Sequence, residues 1–180
     1  MKNFIIVLLT CSALYTQTSA VALYEESQKA LSAGNIELAG EKIRAAIEAD
    51  KSNEKFRSEF DRLNSLRNKR NNANRAVQDG RFDDAIQGFG DVLQSVPNSA
   101  ESLYGTGKAY EGKKEFITAV DFYKKSLQVD SGYDKSKKSI SNVAKKLYNS
   151  ANQDYKNGNL ESALTCLLYT SPSPRDLAVS

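Results

Sequence analysis

The sequence predicts an all-α protein in which pairs of helices stack into a solenoid. The first observation is a recurring pattern, Gly-x-φ-x-x-Ala with φ apolar, which begins at Gly34, Gly80 and Gly158. The second is a separation of 34 residues between Ala85 and Ala119, the latter in a copy that lacks the glycine. A repeated unit of about 34 residues that contains two helices is typical of helical solenoids.

The first unit covers residues 21–53 and contains two predicted helices. Apolar residues at 22–31 indicate the first helix, and Gly34 ends it because glycine readily adopts the left-handed conformation. The second helix carries its apolar residues on one face, at Ala39, Ile43, Ala46 and Ile47. Alanine at two of these positions lets a partner helix approach closely.

The second unit, residues 54–98, begins with a longer helical pattern. Apolar residues at Phe56, Phe60, Leu63 and Leu66 precede the repeat itself, which predicts one helix over about 54–79. At 1.5 Å per residue this helix is about 39 Å long. Pro97 closes the unit after the second helix.

The third and fourth units cover residues 99–131 and 132–170. Asn98 and Glu101 are spaced as a capping box at the start of the third unit. Lys114 stands where a turn glycine is expected, so we expect this turn to use Gly112 or a tighter bend. A second long helix is predicted over 132–157, and Ala163 marks the last pattern.

These repeats resemble the tetratricopeptide repeat family. The family's small, tyrosine, alanine, aromatic and proline positions are matched best at Gly107, Tyr110, Ala119, Tyr123 and Pro97, and the resemblance covers residues 21–165. It implies a right-handed superhelix of about 3.5 repeats, whose first helices line a concave face. A three-helix bundle or a coiled coil is the alternative architecture.

The N-terminus, residues 1–20, is typical of a secretory signal peptide. Lys2 precedes the apolar run 4–9, and Ala20 ends a stretch of small residues before the expected mature start at Val21. We therefore expect an exported protein of the bacterial periplasm or cell surface, or an extracellular one, without a transmembrane segment after cleavage. An uncleaved membrane anchor is the alternative.

The C-terminus has a different origin in our interpretation. Residues 166–176 read CLLYTSPSPRD, which resembles the translation of a transposase adapter used in sequencing libraries. We therefore expect native sequence to stop near Thr165, inside a repeat. The repeat domain is taken to extend over 21–170, and 171–180 are expected to be a non-native, disordered tail.

Composition restricts the chemistry between these two segments. Cys11 and Cys166 lie outside it and the chain has no histidine, so nucleophile–histidine catalysis is excluded there. No acidic loop has calcium-binding spacing and no phosphate-binding loop is present. The formal net charge of the chain is +3, which is no signature of nucleic-acid binding. We predict no catalytic residue, no cofactor and no metal site.

A peptide-binding groove is predicted on the concave face, because the first helices place tyrosine, amide and charged side chains there. Asparagine can hold a peptide backbone with both donor and acceptor, and arginine can bind a carboxylate bidentately. The predicted groove residues are Tyr24, Gln28, Arg67, Arg70, Asn71, Asn74, Gln78, Tyr104, Lys108, Glu111, Lys145, Tyr148, Asn149, Asn152, Tyr155 and Lys156.

The groove predicts an extended partner that is acidic or ends in a carboxylate. Arg70-x-x-Ala73-Asn74 resembles part of the clamp with which chaperone-binding family members hold a terminal carboxylate, whereas Gly105 stands where the next unit's clamp asparagine would be. The alternative is that these side chains merely solvate an inner face. The oligomeric state is left open.

Two functions compete. The first is a non-enzymatic protein–protein interaction scaffold of the cell envelope that binds a peptide segment in its groove. The second is an accessory repeat module of a longer envelope enzyme or glycan-binding protein.

A basic run contains Lys135, Lys137, Lys138, Lys145 and Lys146. It is interpreted either as a contact to anionic envelope lipid or polymer or as a solvated helix face.

Overall fold

A computed structural model describes residues 19–159, and all regular secondary structure in that range is helical. The helices are α1 (19–32), α2 (Ile36–Ala49), α3 (Glu54–Gln78), α4 (Phe82–Ser95), α5 (Ala100–Gly112), α6 (Phe116–Val129) and α7 (Asp134–Lys156). Each helix from α2 onward packs against the next along the chain. The predicted all-α repeat solenoid is confirmed.

The two long helices are present as predicted. Helix α3 has 25 residues and α7 has 23, and their bounds differ from the predicted ones by at most two residues. The first half of α3 buries Phe56, Leu63 and Leu66 in a core shared with α1 and α2. Its second half buries Ala73 and Ala76 against α4 and α5. Helix α3 therefore belongs to two cores.

The repeat alanines lie at helix contacts. Ala39, Ala85 and Ala119 are each 0% exposed, which confirms the prediction for these three positions. Ala163 lies outside the described residues. At the N-terminal end, Ala20 is also buried in the first core, so α1 continues across the predicted signal-cleavage point.

The turns within the units follow the glycine pattern, with one correction. Gly34, Gly80 and Gly158 have φ of 83°, 76° and 81°, as a left-handed helix end requires. In the third unit the expected use of Gly112 is wrong. Gly112 is the last residue of α5, and Lys114 itself adopts φ 65°. The turn of the third unit thus has the same left-handed backbone conformation as the other turns, with lysine in place of glycine.

The corner before α5 differs from the prediction as well. The N-cap is Ser99, whose Oγ accepts from the Ser102 amide at 3.3 Å, so the capping box expected at Asn98 is wrong. Ser99 is buried, whereas Asn98 is exposed and its side chain makes a different contact. The Asn98 Nδ2 donates to the Ser32 carbonyl at 3.1 Å and ties this corner to the end of α1.

Candidate functional site

The predicted groove residues are carried by α1, α3, α5 and α7, and we call the surface formed by these first helices the inner surface. Helix α3 contacts α5, and α5 contacts α7, whereas α2, α4 and α6 have at most marginal contacts with one another. First helices that approach each other while second helices diverge form the inner side of a curved stack. The structure thus places these residues on neighbouring helices.

In the first unit, the two predicted groove residues Tyr24 and Gln28 contact residues of α3. The Tyr24 ring stacks on Phe56 with ring centroids 5.2 Å apart, and Lys55 Nζ lies 4.7 Å from the centroid of Tyr24. Gln28 Nε2 donates to Glu59 Oε1 at 2.9 Å. Tyr24 and Gln28 are half-buried, and each has a partner in α3.

Arg70 is buried and holds two acids of the chain. Its residue exposure is 5%, Nη2 lies 2.5 Å from Glu37 Oε1, and Nη1 lies 2.8 Å from Glu101 Oε2. Arg67 lies 3.7 Å from the same Glu37 and also donates to Asn64. A buried cation needs such partners because desolvation of an unpaired charge is costly. The guanidinium predicted to hold a ligand carboxylate therefore binds carboxylates of α2 and α5 instead.

The other residues of the clamp resemblance differ in exposure. Ala73 is buried and Asn74 is half-buried, whereas the groove residues Asn71 and Gln78 on the same helix are exposed. Gly105 is buried, and a Cβ at this position would collide with the Phe89 ring. The packing of α4 on α5 thus leaves no room for the asparagine side chain that a complete clamp would need.

In the third unit Tyr104 is part of an aromatic group. Its ring centroid lies 5.6 Å from that of Tyr123 and 5.6 Å from that of Tyr133. Burial and the nearby Glu101 carboxylate raise the pKa of Tyr133 to about 12. Burial and the hydrogen bond to Glu111 raise the pKa of Tyr123 as well. Because their pKa values are raised, the hydroxyl groups of Tyr123 and Tyr133 stay protonated at physiological pH.

Glu111 joins α5, α6 and α7. It accepts from Tyr123 Oη at 2.7 Å, from Lys108 Nζ at 3.0 Å and from Lys146 Nζ at 2.7 Å. Burial alone would raise the pKa of Glu111, but the hydrogen bonds from Lys146, Tyr123 and Lys108 outweigh it and lower the pKa to about 2. Glu111 and Lys108, both predicted groove residues, thus form a structural ion network.

The last six predicted groove residues lie together on α7 and are all exposed. We call this set the α7 face; it consists of Lys145, Tyr148, Asn149, Asn152, Tyr155 and Lys156. Tyr148 is 54% exposed and Tyr155 is 68% exposed, the two highest values for large hydrophobic side chains among residues 19–159. Positions 148, 152 and 155 are spaced i, i+4 and i+7, so their side chains share one side of the helix.

Two acids that bind the predicted groove residue Arg70, Glu37 and Glu101, were not predicted from the sequence. Glu37 and Glu101 lie in the first turns of α2 and α5, where an acid is expected simply because it favours the helix dipole. A usable signal did exist on α3. Arg70 continues the buried stripe of Leu63, Leu66 and Ala73, and a cation on such a stripe indicates buried acidic partners.

No group of potential ligands that could hold a metal ion occurs among residues 19–159. None of the helices in this range is both long enough and apolar enough to span a bilayer.

No protein-family model matches the chain, and no curated protein matches it significantly.

Proposed function

We propose that this protein is a non-enzymatic interaction scaffold of the tetratricopeptide type, which binds a peptide segment on its inner surface. The α7 face carries the proposal. Two tyrosines that expose more than half of their surface lie within two helical turns of each other, with asparagines between them. Tyrosine gives a large contact area at low entropic cost, and asparagine can hydrogen-bond an extended backbone in both directions.

Six other residues of the predicted groove support the α7 face through contacts within the chain. Tyr24, Gln28, Arg67, Arg70, Lys108 and Glu111 have partners within the chain, which keeps the first helices in register. An inner surface held rigid in this way presents the α7 face without a large ordering cost on binding. We therefore assign recognition to α7 and support to α3 and α5.

The test begins with a displayed library of random peptides, followed by fluorescence anisotropy with the selected peptide. Replacing Tyr148 and Tyr155 together by alanine is expected to weaken binding at least about tenfold, or about 1.4 kcal/mol. Leu38→Ala is the matched control, because Leu38 is a large apolar side chain of α2 that is 39% exposed. Equal losses in both variants would contradict the assignment to the α7 face.

We propose further that the partner segment is acidic or ends in a carboxylate. Lys145 and Lys156 flank the tyrosines, and the six residues of the α7 face include no acid. Lys145→Glu is expected to weaken binding of an acidic peptide more than Lys137→Glu, and the difference should shrink with added salt because exposed charges are screened. Lys137 belongs to the same helix but lies outside the α7 face. Equal effects at both lysines would rule out the acidic preference.

Export is part of the same proposal and rests on the N-terminal pattern. Intact-mass analysis of the protein from the producing cell's envelope or medium is expected to show Val21 as its first residue. A mass that retains Met1 would instead favour the uncleaved anchor.

A further inference from the structure

One register position of the first helices lies ten residues before the left-handed turn residue of each unit, at 34, 80, 114 and 158. The four residues at this position are Tyr24, Arg70, Tyr104 and Tyr148. In the first three units, this residue contacts the first helix of the following unit or the N-cap of that helix. The contacts are Tyr24 with Phe56, Arg70 with Glu101 and Tyr104 with the N-cap residue Tyr133. The position is therefore one at which each unit joins the next.

Tyr148 has this position in α7, the last helix of the described range, and it is 54% exposed. Tyr155 lies about two helical turns further on and is 68% exposed. The α7 face thus has the register of a surface on which a further first helix stacks. An inference drawn from this register rests on the proposed function, because it names the partner of the same α7 face.

Helix α1 carries a surface in the matching register. Val21 lies thirteen residues before Gly34, as Glu101 lies thirteen residues before Lys114. Val21 therefore has the position at which α5 receives its contact from α3. It is 44% exposed, the highest value for a large hydrophobic side chain outside α7 in the described part of the chain. Glu25, one turn later on the same side of α1, is exposed as well. We call Val21 and Glu25 the α1 edge.

The two ends of the described solenoid carry opposite charge. Helices α1 and α2, residues 19–49, contain five glutamates against two lysines and one arginine, which gives a net charge of −2. Helix α7 contains six lysines against two aspartates, which gives a net charge of +4. Opposite ends of two copies attract each other, whereas like ends repel. The charges therefore favour a head-to-tail contact, with the α1 edge as head and the α7 face as tail, over a symmetric contact.

We propose that the α7 face of one copy binds the α1 edge of a second copy, so that the stack of first helices continues from one molecule into the next. Tyr148 contacts Val21 in the register in which Arg70 contacts Glu101, and the lysines of the α7 face attract Glu25. Because the two surfaces differ, an open assembly always has one of each free, and further copies can add. The affinity is low, because one helix edge buries little area. Val21 is also the expected first residue of the exported chain, so the α1 edge is retained after signal cleavage.

Sedimentation velocity of the full chain at concentrations up to about 1 mM measures the assembly. The weight-average sedimentation coefficient is expected to rise with protein concentration and to fall with added salt. A tail variant, Tyr148→Ala with Tyr155→Ala, and a head variant, Val21→Lys with Glu25→Lys, are each expected to stay monomeric. Their equimolar mixture is expected to form a dimer and nothing larger, because each variant supplies the surface that the other lacks.

A control variant carries the same two kinds of substitution on α6, Val129→Lys with Asp121→Lys. Val129 is 37% exposed and Asp121 is exposed, and both lie outside the two surfaces. The control is expected to assemble like the wild type. A wild type that stays monomeric, a mixture of head and tail variants that stays monomeric, or an equal loss of assembly in the control would overturn the proposal.

Binding of the selected peptide separates this inference from the proposed function. At protein concentrations where the wild type is monomeric, the head variant should bind the peptide like the wild type, and the tail variant should bind it more weakly. If this holds but the wild type does not assemble, the proposed function stands and the head-to-tail contact is refuted. If the tail variant loses assembly but keeps full peptide affinity, the contact is supported and peptide recognition by the α7 face is refuted.

Discussion

The Arg70 guanidinium lies 2.8 Å from the Glu101 carboxylate, so the long helix of one unit is joined to the first helix of the next. The two residues are 31 positions apart in the chain, and a second acid, Glu37, approaches the same guanidinium from the preceding unit. One buried side chain thereby fixes the lateral packing of three units.

Removal of Glu101 should destabilise the fold. Glu101→Gln leaves Arg70 buried with one carboxylate, and loss of a partner from a buried charge is costly. Because Glu101 is partly exposed, we expect a loss of about 2 kcal/mol in the free energy of unfolding rather than the full penalty. Urea unfolding followed by circular dichroism measures it. The control is Glu115→Gln, which removes an exposed ion pair to Lys113 and should cost under about 0.5 kcal/mol.

Enlargement of a repeat alanine should overpack its helix contact. Ala85 is 0% exposed, so Ala85→Leu is expected to lower the free energy of unfolding by about 1–3 kcal/mol. Gln87→Leu, two residues later on the exposed side of α4, adds the same side chain where there is room. If both variants are as stable as the wild type, the close approach of helices at Ala85 is refuted.

The pH dependence of stability should contain a contribution from Glu111. Its pKa is lowered from 4.5 to about 2 in the folded protein, so the stabilisation is fully present above the unfolded-state pKa. It is lost as the pH falls from about 5 through 2, because the carboxylate is then protonated. We expect about 2 kcal/mol, discounted for remaining solvent contact. Glu111→Gln should therefore show a flatter decline than wild type in urea unfolding at pH 7, 4 and 2.5; parallel curves would contradict this.

The turn at Lys114 should be improved by glycine. Lys114 has φ 65°, a conformation that costs a residue with a Cβ about 1 kcal/mol, so Lys114→Gly is expected to raise the free energy of unfolding by about 0.5 kcal/mol after the entropy of the unfolded chain is included. Gly80→Ala makes the reverse change at φ 76°, where a Cβ meets no atom within 4 Å. It should destabilise by about 1 kcal/mol. Thermal unfolding of both variants checks the pair, and shifts of the same sign would refute a backbone origin for the effect.

The sequence was sufficient for the helices because their signals are local. Glycine at 34, 80 and 158 and the apolar spacing along α3 and α7 depend only on the nearby chain. Whether a predicted groove residue is free to bind a ligand does not depend on the nearby chain alone. Whether Arg70 is free depends on Glu37 and Glu101, which reach it only after neighbouring units have packed together. The exposure of Tyr148 and Tyr155 on α7 likewise depends on how the described helices pack.

The sharing of α3 between two cores has a consequence for folding. Phe56 and Leu63 belong to one core and Ala76 to the other, yet all three are carried by one uninterrupted helix. Repeat proteins commonly unfold unit by unit, since each unit contacts only its neighbours. Here, unfolding of the unit packed on one half of α3 must break a helix whose other half is still packed in the second core. The units on both sides of α3 should therefore melt as a single cooperative block, and amide hydrogens at its centre should exchange only through global unfolding.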